Sequence, residues 1–182
     1  MKKKLTRPQI RNILLGAERV FFRAMLDGYV GGESQKSSII KTSDGYTTIR
    51  FFDGDYQVVD RYCVTPHSDC SAGTTTIFFK NEPVWWMSYH GSYPAEVIPF
   101  LKDVLLETYK GRLFIGGRGL RCLSNGTLEY LNNVRTESFN SFSGREEICR
   151  LTPKVIKVGG QKERVISHTL LGYHEYSGLA LI

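Results

Sequence analysis

Two histidines and one glutamate are the side chains of this sequence best suited to acid–base chemistry. His90 follows Tyr89 and His174 follows Tyr173, each pair inside a run of alternating strand-like residues, while Glu146 stands two residues after Gly144. An imidazole titrates near neutral pH, so two of them across a cleft could assist cleavage of a phosphodiester or contact an anionic ligand. His90, His174 and Glu146 are therefore the catalytic candidates. Other groups suit binding. Strand alternation puts Trp85, Met87 and Tyr89 on one face and Trp86, Ser88 and His90 on the other. Such rings either fill a core or stack on a ligand. Asp60 and Tyr62 are read as sharing one face of their strand, with Tyr56 and Val58 on the other. An inward Asp60 needs a partner, either an arginine such as Arg145 or a donor on a ligand. The ligand-binding candidates are Asp60, Tyr62, Trp85, Trp86, Tyr89 and Arg145; Arg145 with Glu146 and Glu147 equally suits an exposed ion pair.

Standard catalytic templates do not occur: no phosphate-binding loop, no His-Glu-x-x-His and no Gly-x-Ser-x-Gly. Gly116-Gly117-Arg118-Gly119 lacks a strand-to-helix context and reads as a turn. Cys63, His67, Asp69 and Cys70 are spaced irregularly for zinc, and a second ligand pair would have to come from Cys122, Cys149 or His174. Neither a metal nor a cofactor is expected. The four cysteines read as thiols of a reducing compartment, which makes a cytoplasmic setting the expectation. No apolar run is long enough to span a bilayer, and the basic start of the chain is too interrupted by charge for a signal or an anchor.

The formal charge of +6 resides, in sum, at the N-terminus. Lys2, Lys3, Lys4, Arg7, Arg11, Arg19 and Arg23 face Glu18 alone, and the rest of the chain balances. This is either a solvated helix face or a field that steers an anionic partner. Any nucleic-acid contact is assigned to Lys2, Lys3, Lys4, Arg7, Arg11 and Arg19.

These residues must be positioned by a mostly β scaffold. The 182 residues are near the size of one domain, and their many Tyr, Phe, Val, Ile and Thr favour strands. Thr6 and Gln9 form a capping box for a first helix, whose stripe runs Ile10, Ile13, Leu14, Ala17, Val20, Phe21, Ala24 and Met25, with Gly28 as its end. Strands are expected at 37–42, 46–52, 55–62, 73–79 and 83–90, with Asp53-Gly54 as a hairpin turn. A second helix at 96–109 accepts Pro99 in its first turn and stops at Gly111. Strand texture then returns, punctuated by Asn125-Gly126 and Gly159-Gly160.

The two β stretches resemble each other. Helix, Gly-Gly (Gly31-Gly32, Gly116-Gly117), hairpin, a glycine-marked strand (Gly73, Gly144) and a Tyr-His strand occur in that order twice. The expected fold is α+β, a mainly antiparallel sheet with two principal helices, forming one domain of two duplicated units at 6–91 and 94–176. A pseudo-twofold axis would put a cleft at their junction.

The run Gly54-Asp55-Tyr56, Asp60-x-Tyr62, Gly73 and Pro83-Val84-Trp85-x-Met87-x-Tyr89-x-Gly91 resembles an uncharacterised bacterial family, found alone or fused to a helix-turn-helix domain. The resemblance continues through Asn125-Gly126 and Phe142-Ser143-Gly144-Arg145-Glu146. Where that pattern has Phe and Glu around its first glycine, this chain has Ser71 and Thr75; the second unit keeps both, as Phe142 and Glu146. The fusion implies a sensing or regulatory role. The expected function is an intracellular module holding a small ligand or peptide in an aromatic and polar cleft. The alternatives are a small toxin-like enzyme acting on nucleic acid or nucleotide, and nucleic-acid binding through the basic N-terminal helix.

Overall fold

The computed structural model describes residues 5–30, 37–159 and 161–182. Helix α1 (Arg7–Met25) begins where the capping box places it: Gln9 N–H donates to Thr6 Oγ1 and the Gln9 side chain accepts from Thr6 N–H at 2.9 Å. Its buried side, from Ile13 to Met25, is the stripe read from the sequence with Phe22 added. Gly28 does not end the helix. A single π turn carries it on through Leu26–Val30, and Gly28 is needed there because a Cβ would lie 2.7 Å from Ile49. Lys2, Lys3, Lys4, Gly31 and Gly32 lie outside the described residues.

Among the described residues nine strands follow: β1 (Ser38–Lys41), β2 (Tyr46–Asp53), β3 (Tyr56–Val64), β4 (Cys70–Phe79), β5 (Glu82–Ser92), β6 (Cys122–Ser124), β7 (Leu128–Ser138), β8 (Ser141–Val158) and β9 (Gln161–Ala180). Between β5 and β6 stand a 3-10 turn (Ala95–Val97) and helix α2 (Ile98–Lys110), with Pro99 in its first turn and Gly111 at its end. Gly54, Gly126 and Gly159 all take positive φ, as hairpin turns demand. The first of these turns is centred on Gly54 and Asp55, one residue later than expected, because Asp53 still pairs with Tyr56. The β4–β5 turn falls in the gap between the expected strands 73–79 and 83–90, where no turn signal was read. There Lys80 and Asn81 take the left-handed conformation (φ 51° and 67°) without a glycine.

All strands join one antiparallel sheet in the order β1-β2-β3-β4-β5-β9-β8-β7-β6. Each half is a meander, and the two meet where β5 pairs with β9, so the fold is α+β with one dominant sheet and two main helices. The halves share a pairing pattern around one glycine each, although a bulge at Val134/Thr136 in the second has no counterpart in the first. Tyr62 pairs with Gly73, which pairs with Tyr89; Val134 pairs with Gly144, which pairs with Tyr176. Tyr89 and Tyr176 each lie over their glycine, and they face each other across the seam. The equivalence of Tyr89-His90 with Tyr173-His174 is thus three residues out of step: Tyr89 matches Tyr176.

Both helices cover the same side of the sheet, α1 across β2 to β5, and α2 beside it and against β7. Trp85, Met87, Tyr89, Tyr130 and Ile148 pack beneath them in one core. On β3 the alternation is unbroken, so Tyr56, Val58, Asp60 and Tyr62 share the helix side, contrary to the expected split. Beyond Arg150 the β8–β9 hairpin loses its neighbour β7 and continues as a two-stranded, largely exposed arm, 151–168. Among the described residues, no helix is long and apolar enough to cross a membrane.

Candidate functional site

Alternation and register decide which candidates meet. Trp85 is fully buried, stacked between Phe139 (5.0 Å) and Phe142 (5.2 Å), with its indole N–H donating to Phe139 O at 2.8 Å. It is core. Trp86 and His90 project from the opposite side of the sheet, as does Arg145, which binds Glu147 (2.6 Å) and Glu175 (3.1 Å) and lies 3.9 Å from the centre of the Tyr173 ring. His90 and His174 are therefore separated by the sheet and form no pair. Arg145 likewise does not meet Asp60. The reason is parity: His90 sits an odd number of residues from Tyr89, whereas His174 sits an even number from Tyr176.

The helix side gathers Asp60, Tyr62, Tyr89, Glu146 and His174. Asp60 accepts from Thr75 Oγ1 at 2.7 Å and from the Tyr89 hydroxyl at 3.0 Å. Burial raises its carboxyl above the ordinary aspartate value, against these two bonds and nearby Arg118. Glu146 is wholly buried and binds Arg118 through Nε (3.0 Å) and Nη2 (2.5 Å), while its other oxygen accepts from the Tyr130 hydroxyl at 2.6 Å. Burial alone would raise Glu146; Arg118 and a hydrogen bond from His174 override it and hold the carboxylate at about 2. Tyr130 goes the other way, its hydroxyl pushed well up by burial and by Glu146.

His174 lies between this charge pair and the surface. Its Nδ1 is 3.4 Å from Glu146 Oε1, and its Nε2 is 3.0 Å from Ser71 Oγ. The Tyr93 ring stands edge-on to it at 4.7 Å. Burial lowers the imidazole below its ordinary value, opposed by the Glu146 bond and assisted by the Arg118 charge. Arg118 Nη2 also stands 3.5 Å from Nδ1, so a neutral ring has two arrangements: Nδ1–H donating to Glu146 with Nε2 accepting from Ser71, or Nδ1 accepting from Arg118 with Nε2–H donating to Ser71.

Sequence reading missed Arg118. It is delivered by the segment read as a plain turn, in which Gly116 and Gly117 take positive φ (64° and 70°) and Gly116 lies under the Tyr176 ring. Asn132 ties this segment down, its amide donating to Gly119 O (2.9 Å) and Ile115 O (3.2 Å), and Gly119 N–H donates to the Tyr130 hydroxyl at 3.0 Å. Glycines that admit backbone so close to a core, flanking one arginine, were the available signal.

Above His174 opens a cleft of about 750 Å³. Ser71, Tyr62, Tyr89 and His174 line its sheet side; Ile98 and Lys102 of α2 line another. The pairing register shows where the space arises. Ser71 pairs with Gly91 as Phe142 pairs with Gly178, and the Phe142 ring lies over Gly178. At the matching place in the first half the chain has only a hydroxymethyl group. Cys70 and Asp69 also reach the cleft, but among the described residues no three His, Cys, Asp or Glu side chains gather to hold a metal ion.

No curated protein and no solved structure matches this chain. A family model described as a domain of unknown function, DUF5680, matches residues 68–159, which include Ser71, Tyr89, Arg118 and Glu146, and with half its length in that match the chain belongs to the DUF5680 family.

Proposed function

We propose that this protein is a ligand-binding module of a regulatory kind, and that its site is the cleft over His174. The observation that carries this reading is the replacement of a ring by a hydroxyl: Ser71 stands where its counterpart Phe142 fills the sheet surface, beside a cleft of about 750 Å³. That volume suits a small molecule, and the lining joins apolar walls to a few fixed polar groups. Tyr62 and Tyr89 offer aromatic contact, Ser71 and His174 hydrogen bonding. The free thiols of Cys63, Cys70, Cys122 and Cys149 fit a reducing, cytoplasmic setting.

The test is thermal unfolding against a panel of metabolites and nucleotides, with Ser71→Phe as the comparison. A ligand at about 100 times its Kd stabilises the fold by roughly 2.7 kcal/mol. Stabilisation of the wild type that is lost in a folded Ser71→Phe protein supports the cleft; stabilisation that persists in Ser71→Phe places the ligand elsewhere.

Contact with nucleic acid remains a second reading, now favoured by the β8–β9 arm as well as by exposed Arg7, Arg11 and Arg19 on α1. Register puts Lys157 opposite Lys162 and Arg164 opposite Val155 on one face of the ribbon, without a carboxylate among them. Like charges directly opposed cost stability unless an anion lies between them. Binding of duplex DNA or RNA that weakens with salt, and that disappears in Lys157→Glu/Lys162→Glu but not in Arg11→Glu/Arg19→Glu, would assign it to the arm. The reverse result would assign it to α1.

A further inference from the structure

The contacts of His174 form a continuous chain: Ser71 Oγ to Nε2 at 3.0 Å, and Nδ1 to Glu146 Oε1 at 3.4 Å. Its order is hydroxyl, imidazole, carboxylate. Three elements supply it, with Ser71 on β4, Glu146 on β8 and His174 on β9, so the sheet itself fixes the spacing. Ser71 and His174 border the cleft, and Glu146 is sealed behind them with no exposed surface. We infer that Ser71 is a nucleophile activated by His174, and that the site hydrolyses a small carboxylic ester.

The inference rests on the cleft being a ligand site and adds the reaction to it. Glu146 acts as a positioning residue through His174: Arg118 and Tyr130 hold it as a carboxylate, and a ring whose Nδ1–H turns to Glu146 Oε1 (3.4 Å), rather than one whose Nδ1 accepts from Arg118 Nη2 (3.5 Å), is the tautomer that leaves Nε2 to accept. The lowered pKa of His174 keeps the ring in its accepting form at neutral pH. Lys102, exposed on α2, also lines the cleft. In the first step Ser71 Oγ bonds to the carbonyl carbon and its proton passes to Nε2. The bond from that carbon to the alcohol oxygen then breaks, and the departing alkoxide takes the proton from Nε2. In the second step a water loses a proton to Nε2 and adds to the acyl carbon. The Ser71–acyl bond breaks, Oγ regains the proton, and the net change is ester plus water to acid plus alcohol.

The chain order also explains why no sequence template exposed it. Ser71 lies within a strand rather than on a Gly-x-Ser-x-Gly turn, and 103 residues separate it from His174.

The experiment uses the full chain and a short alkyl fluorophosphonate, which phosphonylates an activated serine with loss of fluoride. The expected result is one probe mass on the peptide carrying Ser71, together with slow hydrolysis of p-nitrophenyl acetate. Both should vanish in Ser71→Ala, and labelling should slow by about 100-fold or more in His174→Gln. The labelling rate of the wild type should also fall as the pH drops through the His174 titration, a readout a purely structural histidine would not give. Folding of each variant is checked by its melting curve. Failure of the wild type to label at Ser71, or equal labelling of Ser71→Ala, overturns the nucleophile. If metabolites still stabilise the wild type through the cleft, the binding function survives that failure; if Ser71 labels while no ligand stabilises the fold, the binding reading falls instead.

Discussion

At the scale of single residues, the decisive object is a buried ion pair placed under a histidine. Arg118 and Glu146 are nearly inaccessible to water, and a buried pair is costly to break from one side only. Arg118→Met leaves Glu146 buried without its cation and should cost about 3–5 kcal/mol in chemical denaturation. Adding Glu146→Gln should recover part of that loss. Acid should act in two stages. His174 is depressed, so the unfolded chain binds its proton first, and stability is lost as pH falls from about 6.5 towards the lower folded value. Glu146 is depressed from 4.5 to about 2, so its contribution, about 3 kcal/mol, is present above 4.5 and is lost as pH falls to about 2. Asp60 works in the opposite sense: its raised carboxyl pKa makes the fold lose stability as pH rises from 3.8 through its folded value. Melting temperature measured from pH 7 to pH 3 should show the upper stage in the wild type and not in His174→Gln.

At the scale of elements, the local signals were strong where one rule decided the outcome. The capping box, the apolar stripe of α1 and the hairpin glycines each depend on a few neighbouring residues, and each is found in place. The faces of β5 were legible for the same reason, since alternation needs no tertiary information. What escaped was long-range. Nothing in the sequence placed Arg118 against Glu146, because a glycine-rich segment can deliver its side chain inward or outward. Nor did it give the three-residue shift between the Tyr-His pairs, which follows only from the β5–β9 register. The glycines under the two tyrosines separate packing from turn geometry. A Cβ on Gly144 would sit 2.2 Å from the Tyr176 hydroxyl, which donates to Asn132 at 2.6 Å. Gly144→Ala should therefore cost about 1–3 kcal/mol and lower the melting temperature by roughly 2–4 °C per kcal/mol. Gly126 has φ 88° with open space around it, so Gly126→Ala should cost only about 1–2 kcal/mol from backbone strain. A larger loss in Gly126→Ala than in Gly144→Ala would contradict this ordering.

At the scale of the whole molecule, two meanders share one sheet, and the cleft belongs to both. Its floor is largely β3 to β5, yet His174 comes from β9, backed by the buried Glu146 of β8. The α+β class was legible because strand alternation and turn residues recur throughout the chain. Several side chains of the site, among them Asp60, Tyr62, Tyr89, Glu146 and His174, were legible as candidates, but not their grouping, which forms only when the halves dock.

That seam also sets an order of events during synthesis. Trp85 pairs with Ala180 and Ser92 with Tyr173, so β5 leaves the ribosome long before the strand that completes its hydrogen bonds. Until β9 arrives, the nascent first half presents β5 as a bare edge with the apolar Trp85 and Met87 on one face, a template for pairing with another nascent chain. Closing the seam requires contacts far apart in sequence, which slows folding relative to either meander alone. A pause in translation between the two halves should therefore raise the fraction of chains lost to aggregation, whereas a pause within the first meander should not.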